Sequence, residues 1–230
     1  MRRKFIFSVL GLFLCYGGLA QATDITFTSS GTITDGNVFE HVYVQNDGTV
    51  IDMSGGQITN WLFTYDASIF NMSGGSISGN VYISNLSSFN VSDDTVDIGD
   101  FVVYGSASLS GGSTTAHRLR TGTTSVVNID GGNLNFDKFE IEGVVNIYRG
   151  LLYVDDVWIS TAYLPLPTIN IYGYGFNYTQ EILTGYLLDD NFFTIKGVDA
   201  SEYARFNLLP EPMSLLLFGF SLLALRNKKQ

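Results

Sequence analysis

The chain has little thiol, imidazole or basic chemistry to offer. Cys15 is its only cysteine, and it lies in an N-terminal stretch that reads as a removed leader. The mature protein would then hold no disulfide and no thiolate metal site, so stability must come from packing and backbone hydrogen bonds. The only histidines are His41 and His117, far apart in sequence. Without a partner cluster they read as surface or turn residues rather than catalytic bases or ligands. Basic residues are scarce away from the two ends. Residues 23–212 hold six of the 12 Lys and Arg but all 22 Asp and Glu, a balance of 6 − 22 = −16. Such a charge opposes binding to nucleic acid or anionic lipid, both of which are polyanions. Helical periodicity is missing outside the termini. So are HExxH, GxSxG, P-loop and dinucleotide fingerprints.

What the sequence does have is a repeat. "IDMSGGQI" (Ile51–Ile58) recurs as "FNMSGGSI" (Phe70–Ile77), and in looser form as "FNVSDDTV" (Phe89–Val96). "ASLSGGST" (Ala107–Thr114), "VNIDGGNL" (Val127–Leu134), "VNIYRGLL" (Val145–Leu152) and "INIYGYGF" (Ile169–Phe176) follow. The first residue of the Gly-Gly pair, or its equivalent, stands at 55, 74, 93, 111, 131 and 149, in steps of 19, 19, 18, 20 and 18. Between these motifs run short alternating stretches such as "VYI" (Val81–Ile83) and "FVVY" (Phe101–Tyr104), punctuated by Gly, Asn, Asp and Ser. Period-two alternation at strand length, repeated at constant spacing, predicts an all-β chain. The expected fold is a right-handed parallel β-helix, or β-solenoid, of about seven coils with 18–20 residues each. Seven coils at one strand spacing each, about 4.8 Å, give a rod roughly 33 Å long. A leucine-rich repeat would need a fixed Leu and Asn scaffold that is absent, and an antiparallel sandwich would not explain the recurrence. Val50, Ile69, Phe89, Leu109 and Val127 are expected to face inward. Asn71, Asn90, Asn128, Asn146 and Asn170 share one position and would form a ladder of amides. The Gly pairs would make the tight corner, where positive φ is cheap.

A solenoid needs covered ends. "EILTGYLLDDNFFTIKG" (Glu181–Gly197) predicts a capping hairpin with its turn at Asp189-Asp190-Asn191, and "YARFNLL" (Tyr203–Leu209) a further strand. The aromatics of Tyr172–Tyr178 would cover the last coil. The chain thus divides into a leader (1–22), solenoid repeats (23–178), a β-rich cap (179–209) and a terminal segment (210–230).

Both ends read as addresses. Arg2, Arg3 and Lys4 precede an apolar stretch, Phe5–Leu19, and Ala20-Gln21-Ala22 offers small residues for signal cleavage. At the other end stand Pro210-Glu211-Pro212, the apolar run Met213–Leu225 containing Gly219, and the basic tail Arg226, Lys228 and Lys229. In this order they resemble the C-terminal sorting signal of PEP-CTERM proteins. The apolar run would form a hydrophobic helix of about 20 Å, short of the roughly 30 Å hydrocarbon core unless its flanks extend it. A basic tail stays on the cytoplasmic side, which puts residues 23–209 outside. The resemblance implies a Gram-negative, exopolysaccharide-producing host that exports the chain through its inner membrane. It also implies an exosortase-type protease that recognises Pro-Glu-Pro and releases or transfers the protein to the surface or the biofilm matrix.

Candidate chemistry in the rod rests on carboxylates. Asp93, Asp94, Asp97 and Asp100 form the densest run, and Asp155 and Asp156 a pair. With Arg118 and Arg120 about one coil further on, Asp93, Asp94 and Asp97 could line a groove acting on polysaccharide. The plainer reading is that Asp93 and Asp94 replace Gly-Gly at the corner and that acidity keeps a rod soluble. Calcium is the only cofactor the carboxylates suggest, yet "SGGQITNWL" (Ser54–Leu62) does not meet the GGxGxDxUx calcium repeat. Ice binding would want threonines at matching positions, and Thr26/Thr28, Thr32/Thr34 and Thr121/Thr123 do not recur at coil spacing. The expectation is therefore a non-enzymatic, exported structural or adhesive protein, with extracellular polysaccharide as a possible partner and no nucleic-acid role.

Overall fold

A computed structural model describes residues 23–92, 95–160 and 166–210. The leader 1–22, Asp93, Asp94 and the terminal signal beyond Pro210 lie outside the described residues. In chain order the elements are β1 (Thr23–Phe27), β2 (Gly31–Ile33), β3 (Val38–Val44), β4 (Val50–Thr64), β5 (Ile69–Ile77) and β6 (Asn80–Ile83). There follow β7 (Ser88–Val91), β8 (Thr95–Val103), β9 (Ser106–Leu109), β10 (Ser113–Thr121), β11 (Val126–Ile141) and β12 (Val144–Ile159). The end is built from β13 (Thr168–Thr179), β14 (Ile182–Leu187), β15 (Phe192–Ile195), α1 (Ala200–Tyr203) and β16 (Phe206–Pro210).

The result is a parallel β-solenoid of about seven turns. Each coil contributes to three faces, and the longest strands, such as β4 and β12, bend round a corner to serve two of them. On the first face Ile51, Phe70, Phe89, Ala107, Val127, Val145, Ile169 and Phe206 stand in register from coil to coil. On the third, Val42, Leu62, Val81, Phe101, Leu119, Phe139 and Val157 do the same, and all but the 4% exposed Val157 are fully buried. Each such side chain contributes about 1.5–3 kcal/mol by leaving water, which is how a cysteine-free rod holds together. Volume is balanced along the columns: Ala107 follows Phe89, whose ring turns edge-on to Phe101 at 5.6 Å. The inward phase differs from the expectation at two positions. Val50 and Ile69 are only half-buried, and Ile51 and Phe70 point into the core. Val50 and Ile69 stand in register with Ser88 and Ser106, one residue before the inward column of Phe89 and Ala107, whereas Phe89, Leu109 and Val127 are inward as expected.

The two glycines of the corner do different jobs. The second takes the positive φ, +80° at Gly56 and +99° at Gly75. The first permits close coil packing, because a Cβ on Gly74 would sit 2.3 Å from the Ser54 carbonyl oxygen. The amide ladder forms and is longer than expected. Asn71 donates to Asp52 at 2.8 Å, Asn90 to Asn71 at 2.8 Å, Asn146 to Asn128 at 2.8 Å, Asn170 to Asn146 at 2.7 Å and Asn207 to Asn170 at 2.8 Å. Ser108 occupies the rung between Asn90 and Asn128.

The hairpin of β14 and β15 is present, turning through Asp190 at a φ of 64°. β14 also pairs antiparallel with the second half of β13, and β15 runs parallel to β12, so the cap is woven into the last coils. Phe176 lies 6.2 Å from Phe193, and Tyr178 stacks on Tyr203 at 4.1 Å. The start of "YARFNLL" departs from expectation. Ala200–Tyr203 is a helical turn, capped by Asp199, whose carboxylate accepts from Ser201 N and Glu202 N. Glu202 in turn accepts from Asp199 N at 3.1 Å and from Ile159 N at 3.2 Å. This reciprocal pair is a capping box, legible as Asp-x-x-Glu, but four residues are too few to show helical periodicity. The strand then follows as β16, which lies parallel to β13 and ends at Pro210.

Candidate functional site

The outward positions of the third face are where the coils differ most. Alternation puts Val42, Val44, Leu62, Thr64, Val81 and Ile83 inside, which turns Tyr43, Trp61, Phe63 and Tyr82 outward. Tyr65 and Tyr104 extend the row at the following corner. All six are half-buried. Tyr43 stacks on Phe63 at 5.2 Å with planes 4° apart, Trp61 on Phe63 at 5.0 Å and 7°, and Phe63 on Tyr65 at 6.0 Å and 8°. The stack breaks at Tyr82, whose ring is tilted 50° from Phe63, 42° from Tyr65 and 49° from Tyr104. Burial raises the Tyr65 hydroxyl pKa, with smaller contributions from Tyr82 and Tyr43, so it stays a neutral donor. The strip emerges from register, because "HVYV", "WLFTY", "VYI" and "VVY" align only once the coils are stacked.

Around the strip lie polar groups. His41 is held by Asp24 through Nδ1 at 2.6 Å and stacks beside Tyr43. Asp24, Glu40 and His41 bring three potential ligand atoms within 4.8 Å of one another, the one such group among the described residues. Exposed carboxylates gather without an ion too, so the cluster by itself defines no calcium site. His117 is exposed and pairs with Asp137 at 2.9 Å.

The candidate catalytic carboxylates are dispersed. Arg118 makes a two-pronged contact to Asp100, at 2.7 and 3.1 Å, and reaches Glu140 at 3.4 Å. The Asp100 hydrogen bond raises the guanidinium pKa further. Asp97 lies on the second face, whose inward column is Ile58, Ile77, Val96, Thr114 and Leu134, in register with Thr115 and across a bend from Arg118. Arg120 is exposed on the third face, in register with Val102 and Glu140. Asp155 accepts from Lys196 at 3.0 Å and from the Tyr153 hydroxyl at 2.8 Å, and both bonds hold its pKa below the usual carboxylate value. Asp156 lies 3.9 Å from Lys138. Asp97 and Arg118, the described members of the candidate groove, therefore occupy different faces. The threonines are likewise separate: Thr26 is in register with Tyr43, Thr32 with Asp52 and Thr121 with Val103.

Of the sorting residues, Pro210 ends β16, while Glu211, Pro212, Gly219, Arg226, Lys228 and Lys229 lie outside the described residues. Among the described residues no helix is long and apolar enough to cross a membrane. No family model, curated protein or solved structure matches this chain.

Proposed function

We propose that the protein is an exported, adhesive rod of the bacterial surface or extracellular matrix that holds polysaccharide by contact rather than by catalysis. The observation that carries this is the outward aromatic strip of Tyr43, Trp61, Phe63, Tyr65, Tyr82 and Tyr104 on consecutive coils. Aromatic rings offer apolar area together with a polar tip, which suits a sugar ring with its own apolar face and hydroxyl rim. A rigid solenoid holds such a surface in place at little entropic cost on binding. Export rests on the leader-like residues 1–22 and on the resemblance of Pro210-Glu211-Pro212, the apolar run and the basic tail to a sorting signal cut by an exosortase-type protease.

Two measurements test the reading. Co-sedimentation of the purified protein with insoluble matrix polysaccharide should fall at least tenfold in the Trp61→Ala/Phe63→Ala double variant. Equal retention of variant and wild type would sink adhesion through this strip. Mass spectrometry of protein from envelope and culture fluid should show a C-terminus near Pro-Glu-Pro. An intact Gln230 in every fraction would refute the sorting step.

A further inference from the structure

Where the aromatic stack breaks, the third corner opens a recess of about 510 Å³ lined by Tyr65, Asp66, Tyr82, Asn85, Leu86 and Tyr104. That lies within the range of roughly 300–1,000 Å³ typical of small-ligand sites. We infer that this recess is the anchoring subsite for one neutral hexopyranose unit of a polysaccharide, an inference that rests on the adhesive reading above.

Three independent features point there. The first is Leu86. It is 83% exposed and sits at a φ of 70°, in the left-handed region that a leucine enters only at an energetic cost. Packing gives no return for either property, since the side chain lies on the surface beside the rings. At the turn position of Leu86 the first coil uses Gly48 at 76°, and in the next coil Asp66, one position earlier in its turn, takes 57°. A costly, exposed apolar side chain at the lip of an aromatic recess is explained if it closes over a ligand. The second feature is the tilt of Tyr82. In the Tyr43–Phe63 stack the ring faces are occupied by each other, whereas tilts of 42–50° at Tyr82 free ring surface toward the recess. The third is the polar rim. Asp66 is fixed by a 2.9 Å bond from Asn46 N to its Oδ2, which leaves Oδ1 as an oriented acceptor for a sugar hydroxyl. Asn85 adds an amide beside it, and the Tyr hydroxyls add donors.

Charge selects the class of sugar. No Lys or Arg lines the recess, and its one ionisable carboxylate would repel a uronate or a sulfated unit. Residues 23–212 carry 6 − 22 = −16, which extends that repulsion to the whole rod. A neutral hexose, stacked on Tyr82 and Tyr104 under Leu86 and bonded to Asp66, meets all four groups.

The test is calorimetric titration of the full chain with cello-, laminari- and malto-oligosaccharides and dextran fragments, and with oligogalacturonates as the acidic probe. Neutral probes should bind and the acidic one should not. Leu86→Gly is the decisive variant, because glycine relaxes the backbone at this φ and the melting temperature should hold or rise. Its affinity should fall about tenfold, and Tyr104→Ala should match it. Neutral binding that is unchanged in both variants would overturn the recess while leaving the adhesive reading intact. Binding of no probe would overturn the recess, whereas the adhesive reading stands or falls separately on co-sedimentation with matrix polysaccharide. Preference for the galacturonate would overturn the choice of a neutral ligand.

Discussion

The third face carries two different surfaces on one scaffold. Over its first coils the outward side chains are aromatic, from Tyr43 to Tyr104. Over its later coils they are mostly charged, with Asp100, Arg118, Lys138 and Asp156 in one column and Arg120 and Glu140 in the next, which ends at the exposed Trp158. The inward columns beneath do not change: Leu62 and Phe139 are both fully buried. In a solenoid, inward positions decide the fold and outward ones are free for chemistry. The charged half uses that freedom for a lattice in which Glu140 lies 3.4 Å from both Arg118 and Lys138, keeping two in-register cations apart. The aromatic rings of the first half meet one another through ring contacts worth about 0.5–1.5 kcal/mol each, with no such charge lattice among them.

The largest test of this contrast concerns the shared core. Leu62→Ala beneath the aromatic half should cost about 2–5 kcal/mol and Phe139→Ala beneath the charged half about 3–5 kcal/mol, read by denaturant unfolding. A much smaller loss at one site would mean that the halves do not share one cooperative core. Next come two inward threonines near the charged half. Thr121 Oγ1 accepts from Glu142 N at 3.0 Å and Gly143 N at 3.1 Å, so Thr121→Val should destabilise by about 1–3 kcal/mol. Thr114 is fully buried between Val96 and Leu134, and its Oγ1 has no partner among the described residues. Thr114→Val should therefore stabilise by about 1 kcal/mol. Opposite signs in thermal melts of the two variants are the expected outcome.

Breaking the lattice itself should matter less. Arg118 is 31% exposed, so Arg118→Ala should cost about 1 kcal/mol, and the difference should shrink in high salt. An aromatic-half variant such as Tyr43→Ala should show no such salt dependence. The smallest effect is a pH effect at Asp155. Its pKa is lowered in the folded protein by Lys196 and then Tyr153, so its contribution is present above the ordinary value of 3.8. That contribution is lost as pH falls through the folded value. Melting temperatures of wild type and Asp155→Asn should differ near neutrality and converge in acid.

The repeat made the fold legible because each coil restates the same pattern. Gly55 and Gly74, and the asparagines at 71, 90, 128, 146 and 170, announced a corner and a ladder without any coordinates. Phase was harder. In a run such as "VIDM" or "IFNM" both the first and second residues are apolar, and only stacking shows that Ile51 and Phe70 are the buried ones. The helical turn at Ala200–Tyr203 was too short for its period to show. The candidate site was least legible, since a recess made by Tyr65, Tyr82, Leu86 and Tyr104 joins three successive coils. No local spacing links those residues until the length of each coil is known.

The amide ladder has one further consequence. Every rung that closes donates from Nδ2 toward the coil before it, so the amide dipoles add head to tail along the rod. The series begins at the carboxylate of Asp52, a negative group at the donor end. This is the arrangement of an acidic residue at the start of an α-helix, built here from side chains instead of backbone. The rod therefore has electrical direction as well as length, and Asp52 is the residue that starts it.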